Sequence, residues 1–380
     1  MLFELTADQE FLRDTTSRFL ADQVPPSTLR ALRDDPAGYD PGYWRRGAEL
    51  GWTSLLVGEA QGGGSVSGRA LVDATLLAHE FGRHAAPGPF LPCNLVAGAL
   101  SDAPAGDGAS LLGDLLQGTA VAGWCFAEGH PTGHLPDGLT LQIRVEGDEV
   151  VVDGVKRPVE SAGTASHLLV TGRTGDGLSQ VLVPADAPGV TLRPMHSMDL
   201  TRRFWVAAFE QVRVPVTAVV GEPGAAGAQV VRQLRQALVL LCAESVGALQ
   251  AGFELTSEWV FDRYSFGRPL ASYQEIKHRF ADMKTWLEAS NAIADAAAVA
   301  VADDADDAAE LVSVAKAFVG DYGAELLHDC VQMHGGIGVT FEHDLHLYLR
   351  RVTLDRALLG TPPDHRRLVA DLLERREDAA

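Results

Sequence analysis

The stretch RYSFGRPLASYQEIKHRFADM, from Arg263 to Met283, places an arginine, a phenylalanine and a glutamine at fixed spacing around the start of a predicted helix. The guanidinium of Arg263 offers planar, paired donors that suit a pyrophosphate, and it keeps its charge at any working pH. Spacing alone leaves a surface salt bridge open for Arg263 and a core position open for Phe266. Ser272 and Glu275 have the form of a capping box, which predicts where the helix begins.

A second motif, QMHGGIG, runs from Gln332 to Gly338 at the end of another predicted helix. Glycine lets a backbone approach a ligand closely, and a helix end supplies oriented peptide groups. The motif also leaves open the alternative that Gly335 and Gly336 only terminate the helix. The apolar stripe that precedes the motif predicts a long helix packed in a bundle. Its members are Leu311, Val314, Phe318, Tyr322, Leu326 and Cys330.

Length and composition limit the classes of protein to which the chain can belong. Its 380 residues, 46% hydrophobic and 22% charged, are enough for two or three domains with a large shared core. A net charge of -20 argues against a nucleic-acid partner, and any anionic substrate must meet local basic residues. No apolar run is expected to reach the roughly 18 residues of a membrane span, and the N-terminus lacks a signal-peptide pattern. These features predict a cytoplasmic protein without a membrane partner.

Histidines and cysteines often bind metals, but neither set in this sequence predicts a metal site. His343 and His346 are three residues apart without a third ligand, which is poor evidence for a metal site. The four cysteines are far apart, form no CxxC pair and are predicted to be reduced core residues. They are Cys93, Cys125, Cys242 and Cys330. No metal is therefore expected.

The periodicity of the chain changes twice, which predicts three domains. Residues 1–119 show helical periodicity, interrupted by a predicted loop over 104–108. Short β-prone runs separated by turn residues predict an antiparallel β-domain over 120–217. Residues 218–380 are helical again and predict a C-terminal four-helix bundle. A helical domain, a β-domain and a bundle together predict an α+β fold.

The R-x-x-F-G pattern at Arg263, the glutamine eleven residues later and the QMHGGIG motif resemble the flavin-binding half of the acyl-CoA dehydrogenase family. Enzymes of this family use FAD to remove two hydrogens across the α,β carbons of a coenzyme A thioester. They pass the electrons to a separate acceptor protein. The order of the three domains also matches, so the resemblance covers nearly all of the chain and implies an acyl-CoA dehydrogenase-like fold.

The resemblance implies roles for individual residues. Arg263 would touch the flavin pyrophosphate, Phe266 would pack on the cofactor and Gln274 would hydrogen-bond to it. A second set would contact the adenosine part of FAD, namely Gln332, Gly335 and Gly336. In the family this FAD belongs mainly to the neighbouring subunit, whose β-domain holds the flavin ring. The motifs are therefore half of a site offered to a partner, and they imply an oligomer.

Two segments of the β-domain depart from the family pattern. Cys125–Gly129 stands where relatives have a Thr-Glu-Pro segment that ends in Gly-Ser-Asp. Lys156–Glu160 stands where relatives place a tryptophan and a threonine against the flavin ring. Glu160 would also oppose the negative charge that accumulates on reduced flavin, because like charges repel strongly in a dry site. These departures predict that the flavin pocket of this chain's own β-domain is degraded.

The catalytic base is the third departure. Abstraction of an α-proton needs a carboxylate within reach of that carbon, and the two positions that the family uses correspond to Leu359 and Ala237. Glu244 lies in an apolar run, where a desolvated carboxylate can act as a base, but it is about 10 Å from Ala237 along the helix axis. Glu244 and Glu160 remain candidates for an unusual base. Asp355 is interpreted as the ion-pair partner of one of three nearby arginines, Arg350, Arg351 or Arg356.

The segment FEHDLHLYLRR, from Phe341 to Arg351, is similar to that of actinobacterial acyl-CoA dehydrogenases that shorten steroid side chains. Those enzymes combine two different subunits in an α2β2 tetramer, and one subunit lacks the base. The chain is therefore predicted to be the base-lacking subunit of such an enzyme, acting on a bulky acyl-CoA thioester, with Thr361 among the residues supplied to the partner's FAD. Two alternatives stay open: a homomeric dehydrogenase that uses Glu244 or Glu160, and a scaffold subunit without flavin.

Overall fold

Six helices form the first part of the chain in the computed structural model, which describes residues 4–103, 108–175 and 177–379. They are α1 (Ala7–Gln23), α2 (Pro26–Ala31), α3 (Pro41–Glu49), α4 (Ala70–Arg83), α5 (Phe90–Asp102) and α6 (Gly108–Leu116). Thr6 and Gln9 cap α1 as their spacing predicts, because each side chain accepts a hydrogen bond from the backbone amide of the other. Residues 104–107 of the loop predicted over 104–108 lie outside the described part of the chain.

An aromatic cluster holds the first helices together. Trp52, which is fully buried, packs edge-on against Phe81 of α4 with ring centres 4.8 Å apart. Phe81 stacks in turn on Phe90 of α5 at 4.7 Å. Because buried aromatic pairs add to the free energy of burial, these contacts fix α4 and α5 beside each other.

Seven strands form one sheet after the helices. They are β1 (Ala122–Cys125), β2 (Gln142–Glu146), β3 (Glu149–Glu160), β4 (His167–Thr174), β5 (Gly177–Pro184), β6 (Val190–Met195) and β7 (Phe204–Pro215). Their order is β1-β4-β2-β3-β7-β6, and β5 also pairs with β4. The antiparallel arrangement predicted from sequence is confirmed for the pairs β2–β3, β3–β7, β6–β7 and β4–β5.

The sheet also contains parallel pairing, which the sequence did not predict. Strand β1 runs parallel to β4, from Ala122 opposite His167 to Cys125 opposite Val170. A parallel pair needs a crossover connection, and here the chain passes through β2 and β3 before it returns as β4. Local alternation of apolar and polar residues carries no signal for such a pairing.

The last part of the chain is the predicted helical bundle. Its elements are α7 (Gly227–Asp262), a hairpin of β8 (Tyr264–Ser265) and β9 (Arg268–Pro269), α8 (Gln274–Ala302), α9 (Ala308–His334), α10 (Leu345–Ala357) and α11 (Pro362–Ala379). Helices α7 to α10 pack against one another, and α11 packs on α9. The capping box predicted at Ser272 and Glu275 is wrong. The Ser272 hydroxyl donates to the Pro269 carbonyl within a short 3-10 turn, and α8 begins after Tyr273 without a side-chain cap.

Helix α7 is the central helix of the molecule. It is long and apolar enough, by length and composition, to cross a membrane, so the expectation that no segment reaches that length is wrong. Of its most apolar window 67% is buried, because α4, α8, α9 and α10 pack around it. Its crossing with α4 is close: a Cβ on Gly82 would lie 1.7 Å from the Glu244 carbonyl oxygen, and one on Gly247 would lie 1.9 Å from that of His79. Only glycine permits this approach.

Candidate functional site

Of the seven residues matched to the cofactor motifs, all except Thr361 lie exposed together at one end of the bundle. They are Arg263, Phe266, Gln274, Gln332, Gly335 and Gly336. Here α7 ends, α8 begins and α9 ends, so three helix termini meet. Phe266 is 97% exposed, which rules out the core position that its spacing left open. These six residues are called the exposed motif set below.

Trp259 joins the two sequence motifs of the exposed motif set. Its indole N–H donates to the Met333 carbonyl at 3.2 Å, and its ring stacks on that of His334 with centres 5.1 Å apart. The Arg263 amide donates to the Trp259 carbonyl at 2.9 Å, and the Arg263 guanidinium lies 6.0 Å from the indole centre. Residues that are far apart in sequence therefore form one continuous surface.

The exposed motif set fits the outer part of a dinucleotide. Within the described ranges, no carboxylate lies within ion-pair distance of Arg263, so its guanidinium is available to a phosphate. A Cβ added to Gly335 or Gly336 would meet no atom within 4 Å, which leaves their backbone open to a ligand. Gly335 has a φ of +62°, a conformation that glycine adopts readily, and it ends α9 as the motif predicts.

A cavity of about 240 Å³ lies between the sheet and the bundle. Leu359, at one family position of the base, lines it together with Trp124, Pro158 and Leu241. Ala237, at the other base position, is fully buried one turn before Leu241 on α7. The cavity is smaller than the roughly 300–1,000 Å³ typical of ligand pockets. Both positions from which relatives supply a base are therefore apolar.

The turn that carries Leu359 is held by Lys316. Leu359 has a φ of +57°, which is rare for a bulky residue. The buried Lys316 ammonium donates to the carbonyls of Asp355, Arg356 and Gly360 at 2.7, 3.2 and 3.1 Å. Burial lowers the pKa of Lys316 to about 8, although the nearby Asp355 carboxylate favours its charge. The ammonium thus fixes the turn at the cavity wall.

Thr361 lies with the cavity and not with the exposed motif set. Its hydroxyl donates to Asp364 at 2.6 Å at the start of α11, and it lines the same cavity as Leu241. Arg263 follows Leu241 by 22 residues along α7, a distance of about 33 Å at 1.5 Å per residue. Thr361 and Arg263 therefore lie on separate surfaces of this chain.

The departures in the β-domain form a buried ion pair behind the cavity. The fully buried Lys156 ammonium donates to Glu128 Oε1 at 2.7 Å and to the Phe126 carbonyl at 2.8 Å. Burial alone would raise the pKa of Glu128, but Lys156 and the Thr140 and Leu141 donors lower it to about 2. Burial lowers the pKa of Lys156 to about 8 despite its partner. Glu128 is therefore a structural anion and a poor proton acceptor.

A second group of buried charges lies beside the cavity, and we call it the arginine–carboxylate cluster. Its members are Glu160, Asp199, Arg202, Glu244, Arg351 and Asp355. Arg202 donates to both Glu160 oxygens at 2.6 Å and to Asp355 at 2.6 Å. Arg351 donates to Asp199 and to Glu244 at 2.5 Å each.

This cluster corrects two interpretations made from sequence. No partner for Glu160 beside a flavin ring is evident from the sequence, but both of its oxygens accept hydrogen bonds from Arg202. Asp355 was expected to pair with Arg350, Arg351 or Arg356. Its carboxylate instead accepts from Arg202, which lies 153 residues earlier. Both errors arise because Arg202 comes from a distant loop of the β-domain.

The cluster also bears on the two candidate bases. Glu244 accepts from Arg351 at 2.5 Å and from Arg202 at 3.2 Å, so each of its oxygens faces a guanidinium. These contacts occupy both Glu244 oxygens, so Glu244 is a paired structural acid, and Arg202 pairs both oxygens of Glu160 in the same way.

Sequence reasoning missed Arg202, which donates to three of these carboxylates, and Lys316, which holds the turn at Leu359. Arg202 stands in DLTRRFW and Lys316 in a helix without any motif, so neither carries a local signal. The acids did carry one, because Glu244 and Asp355 lie in apolar helical segments and a buried carboxylate needs a cation or a proton. That signal predicts a partner but does not identify it.

The histidines of FEHDLHLYLRR and the four cysteines have ordinary structural environments. His346 Nε2 lies 3.1 Å from the Phe341 carbonyl, and the Leu345 amide donates to His343 Nδ1. Across residues 4–103, 108–175 and 177–379 no group of three possible metal ligands is found. The four cysteines are buried and free, as predicted for core residues.

Comparison with known proteins identifies the class of fold and chemistry. Residues 6–103 match the N-terminal domain of acyl-CoA dehydrogenases and residues 227–373 match the C-terminal domain. Acyl-CoA dehydrogenase IpdE2 of Mycobacterium tuberculosis is 30% identical over 370 residues, which cover 97% of this chain and 98% of that protein. Its counterpart in Mycolicibacterium smegmatis is 27% identical and covers 97% of this chain and 100% of that protein.

Two solved structures are similar over nearly the whole chain. A variant of the Tcur3481-Tcur3483 steroid ACAD superposes with a TM-score of 0.88 at 26% identity, over 98% of this chain and 99% of that one. The ChsE4-ChsE5 complex from Mycobacterium tuberculosis gives 0.88 at 23% identity, over 98% and 99%, and shows the same fold. The predicted fold, the oxidoreductase class that acts on CH–CH groups and FAD as the cofactor of that class are confirmed. The chain belongs to the acyl-CoA dehydrogenase family.

Proposed function

We propose that this chain is the base-lacking subunit of a heteromeric FAD-dependent acyl-CoA dehydrogenase, in which it completes the FAD site of a base-carrying partner. One observation carries the proposal. The exposed motif set is intact and open at one end of the bundle, whereas the cavity about 33 Å away has Leu359 at one base position, and Ala237, at the other, is fully buried. This separation is what we expect of a chain that completes the cofactor site of a neighbouring subunit.

Each residue of the exposed motif set has a task in this arrangement. When bound, FAD accepts a hydride from the substrate β-carbon. Arg263 would hold the pyrophosphate through paired N–H donors, and Gln274 would donate beside it. Phe266 would cover an apolar face of the cofactor, and the open backbone at Gly335 and Gly336 would admit the adenosine. A carboxylate of the partner would take the α-proton.

The surface around the exposed motif set supports a protein partner. Three large apolar side chains, Phe261, Tyr264 and Phe266, are 66%, 61% and 97% exposed. They lie beside an apolar groove of about 480 Å³, lined by residues that include Val260 and Phe280. Contiguous exposed apolar surface of this kind marks a site that another chain covers. We propose that the base-carrying subunit covers it in an α2β2 tetramer.

The substrate assignment is the least direct part of the proposal. We propose a bulky CoA thioester such as a steroid side chain, because a steroid ACAD at 26% identity shares the fold over nearly the full length. An electron acceptor protein would reoxidise the cofactor. We further propose a cytoplasmic location and domain boundaries at 1–119, 120–217 and 218–380.

The flavin content of the assembled enzyme tests the proposal. The chain would be purified alone and together with a base-carrying acyl-CoA dehydrogenase subunit encoded nearby, and bound FAD would be measured by absorbance after release. We expect the lone chain to hold little FAD and the complex to hold one FAD for each pair of different chains. Acyl-CoA-dependent dye reduction should appear only with the complex.

Three results would contradict this assignment. Full FAD occupancy with turnover by the lone chain would show a homomeric enzyme, and loss of that turnover in Glu244→Gln would identify the base. Two FAD molecules for each pair of chains would show that the cavity of this chain binds its own cofactor. A complex without flavin would show a scaffold subunit.

Assembly should depend on the exposed aromatic surface. Phe261→Glu is expected to weaken association with the partner by at least about tenfold, because it places a charge in an apolar interface. Phe11→Glu is the matched control, since Phe11 is also 69% exposed but lies on α1, away from the bundle end. Light scattering across a concentration series measures the two affinities, and equal affinities would exclude this surface as the interface.

A further inference from the structure

The arginine–carboxylate cluster joins three parts of the fold. Arg351 of α10 donates to the Ala85 and Ala86 carbonyls after α4, each at 3.1 Å, and to the Thr201 hydroxyl at 2.9 Å. These contacts connect the helical domain, the β-domain and the bundle through one buried side chain, since Arg351 is fully buried. Arg202 adds contacts between the β-domain and α7 and α10.

The cluster also closes the space between these domains. Glu160 borders the 240 Å³ cavity on one side and a much smaller space of about 10 Å³ on the other. Arg202 and Glu244 line this smaller space together with Phe81 and Leu240. The ion pairs therefore fill the region where α4, α7 and the sheet approach one another.

The charges of the cluster do not balance. Two guanidinium groups face four carboxylates, all of them largely buried: Glu160, Asp199, Glu244 and Asp355. Asp355 is 1% exposed. Among the described residues its Oδ2 accepts a hydrogen bond only from the Ser245 hydroxyl, at 3.2 Å, whereas Oδ1 accepts from Arg202. An additional buried negative charge without its own cation is costly, so one carboxylate is expected to hold a proton.

Asp355 is the member of the cluster whose surroundings most favour the protonated form. Burial and then the negative charge of Glu244 raise its pKa well above the ordinary aspartate range, and Arg202 and Arg351 offset this only in part. Asp199 contributes a further negative charge nearby. From the neighbouring helix α9, the Lys316 ammonium donates to the backbone carbonyl of Asp355 and not to its carboxylate.

We propose that the arginine–carboxylate cluster is a proton-dependent lock, which holds the three domains together while Asp355 is protonated and loosens when that proton is lost. The folded chain then binds one more proton than the unfolded chain between the ordinary aspartate pKa and the raised one. The contribution of Asp355 to stability is therefore complete below the ordinary aspartate pKa and is lost as pH rises through this interval. Because the lock needs no cofactor, it holds in the lone chain.

Asp355→Asn tests the lock, because asparagine imitates the protonated acid and cannot titrate. The melting temperature of the full chain would be measured at pH values from about 5 to about 8. We expect the wild-type chain to lose at least about 2 °C more than Asp355→Asn over this range. Asp321→Asn is the matched control: hydrogen bonds from Arg366 and Arg356 outweigh burial and lower the pKa of Asp321, so its pH profile should follow the wild type.

Most other buried groups keep their surroundings in the compared variants. Lys156, whose pKa burial lowers to about 8, lies outside the cluster. Lys316, whose pKa burial also lowers to about 8, loses the neighbouring Asp355 carboxylate in Asp355→Asn but not in Glu244→Gln. Glu244→Gln provides a second test, since removal of its charge should reduce the pH slope even if Asp355→Asn folds poorly. Slopes equal to the wild type in both variants would overturn the proposal.

Discussion

Arg263→Ala is expected to weaken FAD binding by the assembled complex about 10- to 100-fold. A hydrogen bond to a charged group contributes about 1.5–3 kcal/mol, and about 1.4 kcal/mol corresponds to a factor of ten in affinity. Arg263 faces no carboxylate among the described residues, so its loss removes a ligand contact and little else. Fluorescence titration of the FAD-depleted complex measures the dissociation constant directly.

Arg268→Ala provides the control within the same hairpin. Arg268 is also exposed, but its guanidinium lies 3.8 Å from the ring centre of Tyr273 and is not part of the matched pattern. Its removal should change FAD affinity less than threefold, an order-of-magnitude limit of about 0.6 kcal/mol. If both variants bind FAD equally well, Arg263 does not contact the cofactor and the half-site proposal fails. If both lose affinity equally, net charge explains the effect and not the pyrophosphate contact.

Arg351→Met is expected to lower the free energy of unfolding by about 3–5 kcal/mol. Arg351 is fully buried, and methionine would leave Asp199 and Glu244 without their shared cation and the Ala85 and Ala86 carbonyls without a donor. Removal of one partner from a buried ion pair costs more than the pair contributes, because the remaining charge is stranded. Urea unfolding followed by circular dichroism measures the change.

The neighbouring arginine on the same helix is the matched comparison. Arg350 donates to the Met198 carbonyl at 3.0 Å in an exposed contact and makes no ion pair in the described ranges. Arg350→Met should therefore cost no more than about 1 kcal/mol. Equal losses in the two variants would mean that the cluster does not anchor the domains. A loss confined to Arg351→Met supports the anchoring role.

The exposed motif set could be predicted from the sequence because its spacing is local. Arg263, Phe266 and Gln274 lie within twelve residues, and the hairpin and helix start between them fix their relative positions. Their exposure could not be predicted, since an aromatic residue between two helices suits a core as well as an open surface. The order of helical, strand and helical segments could likewise be predicted, because each period is visible in a short window.

The arginine–carboxylate cluster could not be predicted, because its contacts join residues far apart in sequence. Arg202 lies 42 residues from both Glu160 and Glu244 and 153 residues from Asp355. Nearby arginines on α10 were the obvious partners for Asp355, and the choice between near and distant cations depends on the packing of three domains. The parallel pairing of β1 with β4 could not be predicted for the same reason, because pairing across a crossover leaves no local pattern in the sequence.

The aromatic surface around Phe261, Tyr264 and Phe266 has a consequence for how cells maintain the supply of this chain. If the proposed partner covers this surface, a copy made in excess of that partner would leave these rings in water, where chaperones and proteases recognise apolar surface. Unpaired copies would be removed faster than assembled ones. The amount of active enzyme would then follow the scarcer of the two subunits, and synthesis of both in equal numbers would waste the fewest chains.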